Sequence, residues 1–336
     1  MKHERCERTE WVRKAPKRIA VVVATCNGEA YLREQLDSLM CQTLKPSRIL
    51  IGDDVSNDGT ISIIQEYQER YPFIHLQINP VRLGTVENFE KLLRSIQQYD
   101  YVALCDQDDI WKPEKLEKEF EAMQELETQV PGSACLVHSD LSMIDSAGNP
   151  VGDSYFRFRH YRLKAEKDLG HILGPSGVMG NTVFMNRALV EKVLPFPESL
   201  EVHDYWIGIV AEIVGSRKTL NEPLVSYRLH GSNVSNRYEI LQQDERWWRL
   251  LPGFLKGRVR LPYIESSRCQ IMQELLKRFD IDQKERRCID AYMRYLGLRG
   301  SRIGNFIDLI RFDLVKRDWR YRVKLLVNLL FNQRYT

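Results

Sequence analysis

No stretch of this 336-residue chain approaches the run of about 18 uninterrupted apolar residues that reads as a membrane-crossing helix. The start, MKHERCERTEWVRKAPKR, is basic but lacks the apolar segment of a secretory signal, so residues 1–17 read as a basic leader. The seven cysteines are scattered, odd in number and without a CxxC pair, which excludes a disulfide framework or a zinc ribbon and fits a reducing cytosol. Also absent are the G-x-G-x-x-G fingerprint and the P-loop, so the charge of any phosphate ligand must be met by other means. There is no internal repeat and no low-complexity segment.

What is present is an ordinary globular composition, 43% hydrophobic and 28% charged, enough for one large domain and an appendage. The net charge of +3 hides an asymmetry. From Leu241 onward the chain has 21 Lys and Arg against 11 Asp and Glu, which leaves the preceding part acidic. A basic tail on an acidic body points to an anionic partner for the tail.

Along the chain, RIAVVVAT is a short Val-rich run of the kind buried on both faces of a parallel sheet. A helix at EAYLREQLDSLMCQT and a strand at RILIG follow, and the alternation continues through TISIIQEYQERY, FIHLQIN, TVENFEKLLRSIQQY and YVALCD. This rhythm predicts an α/β sheet of Rossmann type, whose ligands bind at the carboxyl ends of the strands. Thr25 to Asn27, Asp53 and Asp54, and Asp106 to Asp109 all fall at such ends. Further on, a helix over 113–127, strands at SACLVHSDLSMID, GVMGNTVFMNRALV (a helix closing it) and KTLNEPLVSYRLH, and a helical, basic region from about residue 238 are expected.

Three acids within four positions at the end of YVALCD repel one another unless a cation lies between them. Asp106, Asp108 and Asp109 therefore suggest a divalent metal; the other reading is that Asp108 or Asp109 caps the helix that follows Pro113. In IGDDVSNDGT, Asp58 or Thr60 fits a helix cap, while Asp54 faces the crevice and could accept the imino N–H of a pyrimidine. In VHDYW, Asp204 fits either an N-cap or a general base that takes a proton from an acceptor hydroxyl. Arg228 and His230 end a strand in YRLHGSNVSN, where His230 is a candidate metal or diphosphate ligand.

The ordered set VVVATCNGEAYLREQLDSLMCQT, ILIGDDVSNDGT, CDQDDIWKPEKL, HDYW and YRLHGSNVS resembles the bacterial family 2 glycosyltransferases of GT-A fold, in their rhamnosyltransferase-like branch. The resemblance covers roughly residues 18–236. It implies a mixed-sheet GT-A catalytic domain over 18–237 and a helical, basic extension over 238–336. It also implies an inverting, metal-dependent transfer of a sugar, L-rhamnose from dTDP-rhamnose, in surface polysaccharide synthesis, with a saccharide or lipid-linked saccharide as acceptor. Under it, Asp106-Gln107-Asp108 is the DxD motif. Asp106, Asp108 and His230 serve Mg2+ or Mn2+, and Ala24, Thr25, Asn27, Asp54, Arg82, Asp106 and Gln107 bind the nucleotide-sugar. Asp204 is the catalytic base. Two departures stand out: Cys26 where the family commonly has Tyr, and Val55 where it commonly has Gly.

A non-catalytic nucleotide-sugar-binding scaffold and a nucleotidyltransferase are the competing classes, and the retained acids and the missing glycine loop speak against each in turn. The segment around Trp247, Trp248, Phe254 and Leu255, interleaved with Arg and Lys, reads either as an anionic-membrane contact or as a subdomain packed on the core. The expected location is cytoplasmic, at most peripheral on the inner face of the membrane. No nucleic-acid partner is expected.

Overall fold

A computed structural model of the chain describes residues 18–165, 167–231, 266–297, 299–315, and 317, 322, 323 and 326. The basic leader and the Trp247–Arg260 segment lie outside the described residues.

The first half builds as its sequence pattern predicts. β1 (Ile19–Thr25), α1 (Leu32–Met40), β2 (Arg48–Asp53), α2 (Thr60–Arg70), β3 (Ile74–Ile78), α3 (Thr85–Ser95) and β4 (Tyr101–Cys105) alternate, and β3, β2, β1 and β4 lie parallel in that order. A two-residue strand β5 (Ile110–Trp111), helix α4 (Lys115–Gln129), a long β6 (Ala134–Ile144) and a short β7 (Pro150–Gly152) follow. Next come α5 (Tyr155–Arg159), α6 (Leu169–Leu173), a 3-10 turn (Gly180–Thr182), β8 (Phe184–Asn186), α7 (Arg187–Val193), α8 (His203–Val214) and β9 (Gly215–Arg228). The strand expected at GVMGNTVFMNRALV is thus only three residues long, because its first part turns at Gly180 and Asn181 instead of pairing.

The nine-stranded sheet is mixed. β8 runs antiparallel to both β4 and β6, and β9 lies parallel to β6. β5 pairs antiparallel with the last residues of β9, Ile110 opposite Ser226 and Trp111 opposite Val225. That small pairing positions the site, because it carries the 106–109 turn across to the end of β9.

Two apolar layers sandwich the sheet. One gathers α1, α2 and α4 on one face; the other gathers α3, α6, α7 and α8 with the C-terminal helices α9 (Ser266–Arg278), α10 (Gln283–Leu296) and α11 (Arg302–Arg311). Ile271, Met272, Leu275, Ile289 and Tyr292 are buried in the same layer as Trp206 and Ile209. The described part of the basic extension therefore packs on the catalytic core. Beyond α11 the backbone passes so close to α6 that a Cβ on Gly170 would overlap the Phe312 carbonyl, and one on Gly174 the Leu314 carbonyl. None of the described helices is long and apolar enough to cross a membrane.

Candidate active site

At the carboxyl ends of β1 and β2, hydrogen bonds within the chain hold the acids. Asp53 is fully buried and accepts from the Thr25 hydroxyl (3.1 Å), the Ser56 N–H (3.0 Å) and the Ser56 hydroxyl (2.5 Å). Asn27, with a left-handed φ of 51°, donates its N–H to Ser56 Oγ and accepts the Asn57 N–H on its Oδ1, latching the two loops together. Asp54 accepts the N–H groups of Leu83 (2.7 Å) and Gly84 (2.8 Å) and the Asn79 amide (3.1 Å). Burial alone would raise its pKa, but these donors prevail and hold it below the ordinary carboxylate value. Asp54 thus orders the 79–84 loop, and at most one lone-pair site remains for a ring N–H. That loop extends Arg82 over the mouth of the crevice, its Nη2 3.0 Å from Cys26 Sγ. Ala24 is half-buried beneath. Asp58, one residue ahead of the N-cap Gly59, accepts both the N–H and the hydroxyl of Thr60 and is also held low.

Gln107 has another part. Its side-chain amide pairs with the backbone of Cys26 at both ends, Oε1 accepting the N–H (2.8 Å) and Nε2 donating to the carbonyl (3.2 Å). A Cβ on Gly28 would strike this amide. Gln107 therefore ties the loop after β1 to the acidic turn, which makes it a positioning residue in this geometry.

The acidic turn itself is organised differently. Neither Asp108 nor Asp109 caps α4, whose N-cap is Glu114, so the capping reading fails: β5 intervenes and draws the turn toward β9. Asp109 is fully buried and accepts the Asn181 amide (2.5 Å) and the Arg228 N–H (3.1 Å), fastening the turn to its neighbours. Asp108 meets His230, Oδ2 to Nε2 at 2.8 Å. His230 lies against Tyr31, and the buried Arg228 guanidinium sits over the same ring (4.7 Å) while donating to the Asp108 carbonyl and to Glu34. Among the described residues no side chain donates to the Asp106 carboxylate. Burial, then Asp108 and Asp204, raise it to about 7, although it keeps partial contact with solvent. Asp109 is raised well above the carboxylate range by burial and then by Asp108 and Asp106.

Asp204 belongs to the same cluster, although nearly a hundred residues separate it from Asp106. It lies in the first turn of α8, whose N-cap is Val202, so the N-cap reading fails here too. Its Oδ2 accepts the Gly180 N–H (2.9 Å), and burial raises it to about 6. His203 packs against Phe89 (ring centroids 4.3 Å apart), and burial depresses it to about 4, so at neutral pH it is uncharged. A Cβ at Gly180 would come within 2.8 Å of His203 Nε2.

Charge tests the fit of a divalent cation. Carboxylates drawn together and forced toward their neutral forms by burial and by one another are what a cation would relieve, and hard oxygen donors with one imidazole suit Mg2+ or Mn2+. Among the described residues no three His, Cys, Asp or Glu side chains are grouped to hold a metal ion, so Asp106, Asp108 and His230 do not form a three-ligand site here. An ion held by fewer protein ligands and completed by phosphate and water oxygens does not need three.

Gly180, Asn181, Tyr31 and Glu34 join the site without having been expected from sequence. The available signal was MGNTVF, where two small or amide residues interrupt an otherwise apolar run. Trp111 and Trp206 are fully buried core residues.

Comparison with known proteins agrees with this architecture. The model of the family described as "Glycosyl transferase family 2" matches residues 20–187. Among relatives, an uncharacterised glycosyltransferase of Rickettsia typhi is 24% identical over 93% of this chain and 95% of its own. The dTDP-rhamnosyl transferase RfbG of Shigella flexneri is 36% identical over 30% of this chain and 36% of its own. Among solved structures, S. aureus TarS 1–349 in complex with UDP-GlcNAc matches at TM-score 0.60 and 16% identity, covering 95% of this chain and 91% of that one. The mannosyltransferase PcManGT from Pyrobaculum calidifontis, with GDP-Man and Mn2+, matches at TM-score 0.50 and 16% identity over 96% and 92%. At these identities the structural likeness establishes the GT-A fold.

Proposed function

The chain belongs to glycosyl transferase family 2, and on that premise we propose that it transfers L-rhamnose from dTDP-rhamnose, with inversion, to a saccharide or lipid-linked saccharide of a bacterial surface polysaccharide. The observation that carries the chemistry is that Asp204 lies near enough to Asp106 to raise it, with both carboxyls held above the ordinary carboxylate range. A carboxylate with a pKa near 6 is a better proton acceptor than one near 4, yet is still ionised at neutral pH. Asp204 takes the proton of an acceptor hydroxyl, whose oxygen bonds to the anomeric carbon as the bond to the nucleoside diphosphate breaks. Ligands drawn from Asp106, Asp108 and His230 would hold Mg2+ or Mn2+, which when bound supplies positive charge for the departing diphosphate. Thr25, Asn27, Asp54 and Arg82 line the nucleotide side, with Gln107 bracing it from the acidic turn. The sugar assignment is supported by the partial likeness to RfbG. The neutral His203 leaves Asp204 without an adjacent charge on its own helix.

A donor titration tests this reading. Calorimetry with dTDP-rhamnose and the common UDP- and GDP-sugars, with and without Mn2+, is expected to show metal-dependent binding of dTDP-rhamnose that Asp108→Ala abolishes. Preference for another sugar would overturn the rhamnose assignment. Failure of every donor would favour a non-catalytic scaffold.

For the C-terminal region we propose peripheral contact with an anionic membrane, which would bring the site to a lipid-linked acceptor.

A further inference from the structure

Helix α11 carries an outward apolar face that nothing in the catalytic reading uses. Ile303 and Ile307, one turn apart, are 60% and 56% exposed, while Asn305 and Leu309 on the opposite side are buried against the core. Isolated apolar residues on a surface need no explanation; two large ones on the same face of one helix make a patch. Arg311, a turn further along that face, is exposed, as is Arg299 just ahead of the helix.

The surrounding charge is mainly basic. Among the described residues from Gly297 onward, Arg299, Arg302, Arg311, Arg317 and Arg322 stand against Asp308 and Asp313. Both acids are already paired: Asp308 with Arg294, and Asp313 with Lys164, Arg317 and Arg322. The face is also firmly held. Phe312 to Leu314, directly after the helix, lie against the bare backbone of Gly170 and Gly174, and Arg317 reaches Asp168 (2.5 Å). With Leu309 and Asn305 fixed inward, the helix cannot rotate its isoleucines into the core.

We propose that the Ile303–Ile307 face of α11, with Arg299 and Arg311, is the surface by which this protein docks on an anionic lipid bilayer, the isoleucines entering the headgroup boundary and the guanidinium groups pairing with lipid phosphates. Charge complementarity selects this occupant: a basic surface with its acids internally paired complements a layer of phosphates and repels a second copy of itself. The proposal gives a location to the membrane contact proposed above. It does not depend on donor chemistry, so vesicle binding and donor binding are read separately and either can fail alone.

The test uses the full chain in cosedimentation with vesicles of mixed phosphatidylglycerol and phosphatidylcholine, and with phosphatidylcholine alone. The wild type is expected to bind the anionic vesicles, less so as salt rises, and not the neutral ones. Ile303→Asp combined with Ile307→Asp is expected to lower binding roughly tenfold or more, with an unchanged circular dichroism spectrum and unchanged nucleotide-sugar binding. Arg299→Gln with Arg311→Gln gives a second arm that leaves the apolar face intact, expected to lose most of the preference for anionic vesicles. The proposal is overturned if the wild type ignores anionic vesicles, or if both variants bind as the wild type does, which would place any contact elsewhere. A concentration-dependent doubling of mass in light scattering, lost on mutating the isoleucines, would likewise overturn it and make the face a contact between copies.

Discussion

Two clusters of three aspartates lie at neighbouring strand ends and are treated in opposite ways. Asp53, Asp54 and Asp58 are met by backbone N–H groups, hydroxyls and an amide of their own chain. Asp106, Asp108 and Asp109, joined by Asp204, find fewer donors than their charge requires; Asp106 has none among the described residues, and burial and mutual repulsion push it upward. Similar composition at similar positions thus gives one cluster that completes the fold and one whose charge its own chain leaves largely unanswered. The deciding factor is the supply of N–H groups. The 53–60 loop doubles back on residues 27–29 and 83–84, whereas the 106–109 turn faces the start of α8 and the end of β9, which bring it Asp204, His230 and one backbone N–H.

Breaking the contrast on the acidic side should have the largest effect. Asp204→Asn keeps the shape but removes the base, and is expected to lower kcat by about 10²- to 10⁴-fold while leaving donor affinity nearly unchanged, which steady-state kinetics and calorimetry separate.

The two clusters should also respond to pH with opposite signs. Asp106 and Asp204 hold their protons more tightly when folded than when unfolded, so their contribution is fully present below about pH 4 and is lost as the pH rises through 6 to 7. Asp54 and Asp58 have depressed values, so theirs is present above the ordinary carboxylate pKa and disappears as the pH falls below it. At neutral pH, Asp106→Asn is therefore expected to stabilise the metal-free protein by ~1–3 kcal/mol and to cancel the thermal shift that Mn2+ gives the wild type. A destabilised Asp106→Asn in thermal melts would contradict the proposed repulsion.

Asp54→Ala leaves the Leu83 and Gly84 N–H groups without their acceptor and should cost ~2–3 kcal/mol in chemical denaturation. Proteolysis should then appear first within residues 79–84.

The smallest effect concerns the turn beside it. Val55 adopts φ of 60° and is 45% exposed, a left-handed conformation that a β-branched residue tolerates poorly. Val55→Gly is expected to stabilise the protein by up to ~1 kcal/mol, since the strain relieved exceeds the added freedom of the unfolded chain. A lower melting temperature would show that the valine has a packing role.

The parallel half of the fold was legible because β1, β2 and β4 are buried on both faces and each helix shows one apolar stripe, so Val21 to Val23 and Leu32, Leu36 and Leu39 announce themselves. The acids were legible as a group because clustered like charge is unfavourable without a purpose. Their division of labour was not. That Asp109 fastens the turn, that Gln107 braces it and that Gly180 donates to Asp204 depend on pairings between segments dozens of residues apart, and no local pattern encodes those. The N-cap readings of Asp109 and Asp204 failed for the same reason: proximity in sequence to a helix start says nothing of the partner that tertiary structure brings closer.

The contact of Gly170 and Gly174 with the backbone at 312–314 bears on how this chain comes off the ribosome. Every strand of the sheet has been synthesised by Arg228, yet the outer face of the helix carrying Asp204 waits for helices that follow residue 265, and α6 for residues translated later still. A polypeptide stopped at residue 237 would hold every proposed catalytic side chain and still present a raw apolar surface. That later-made segment acts as a clasp on α6, closing an apolar layer that the strands alone leave open.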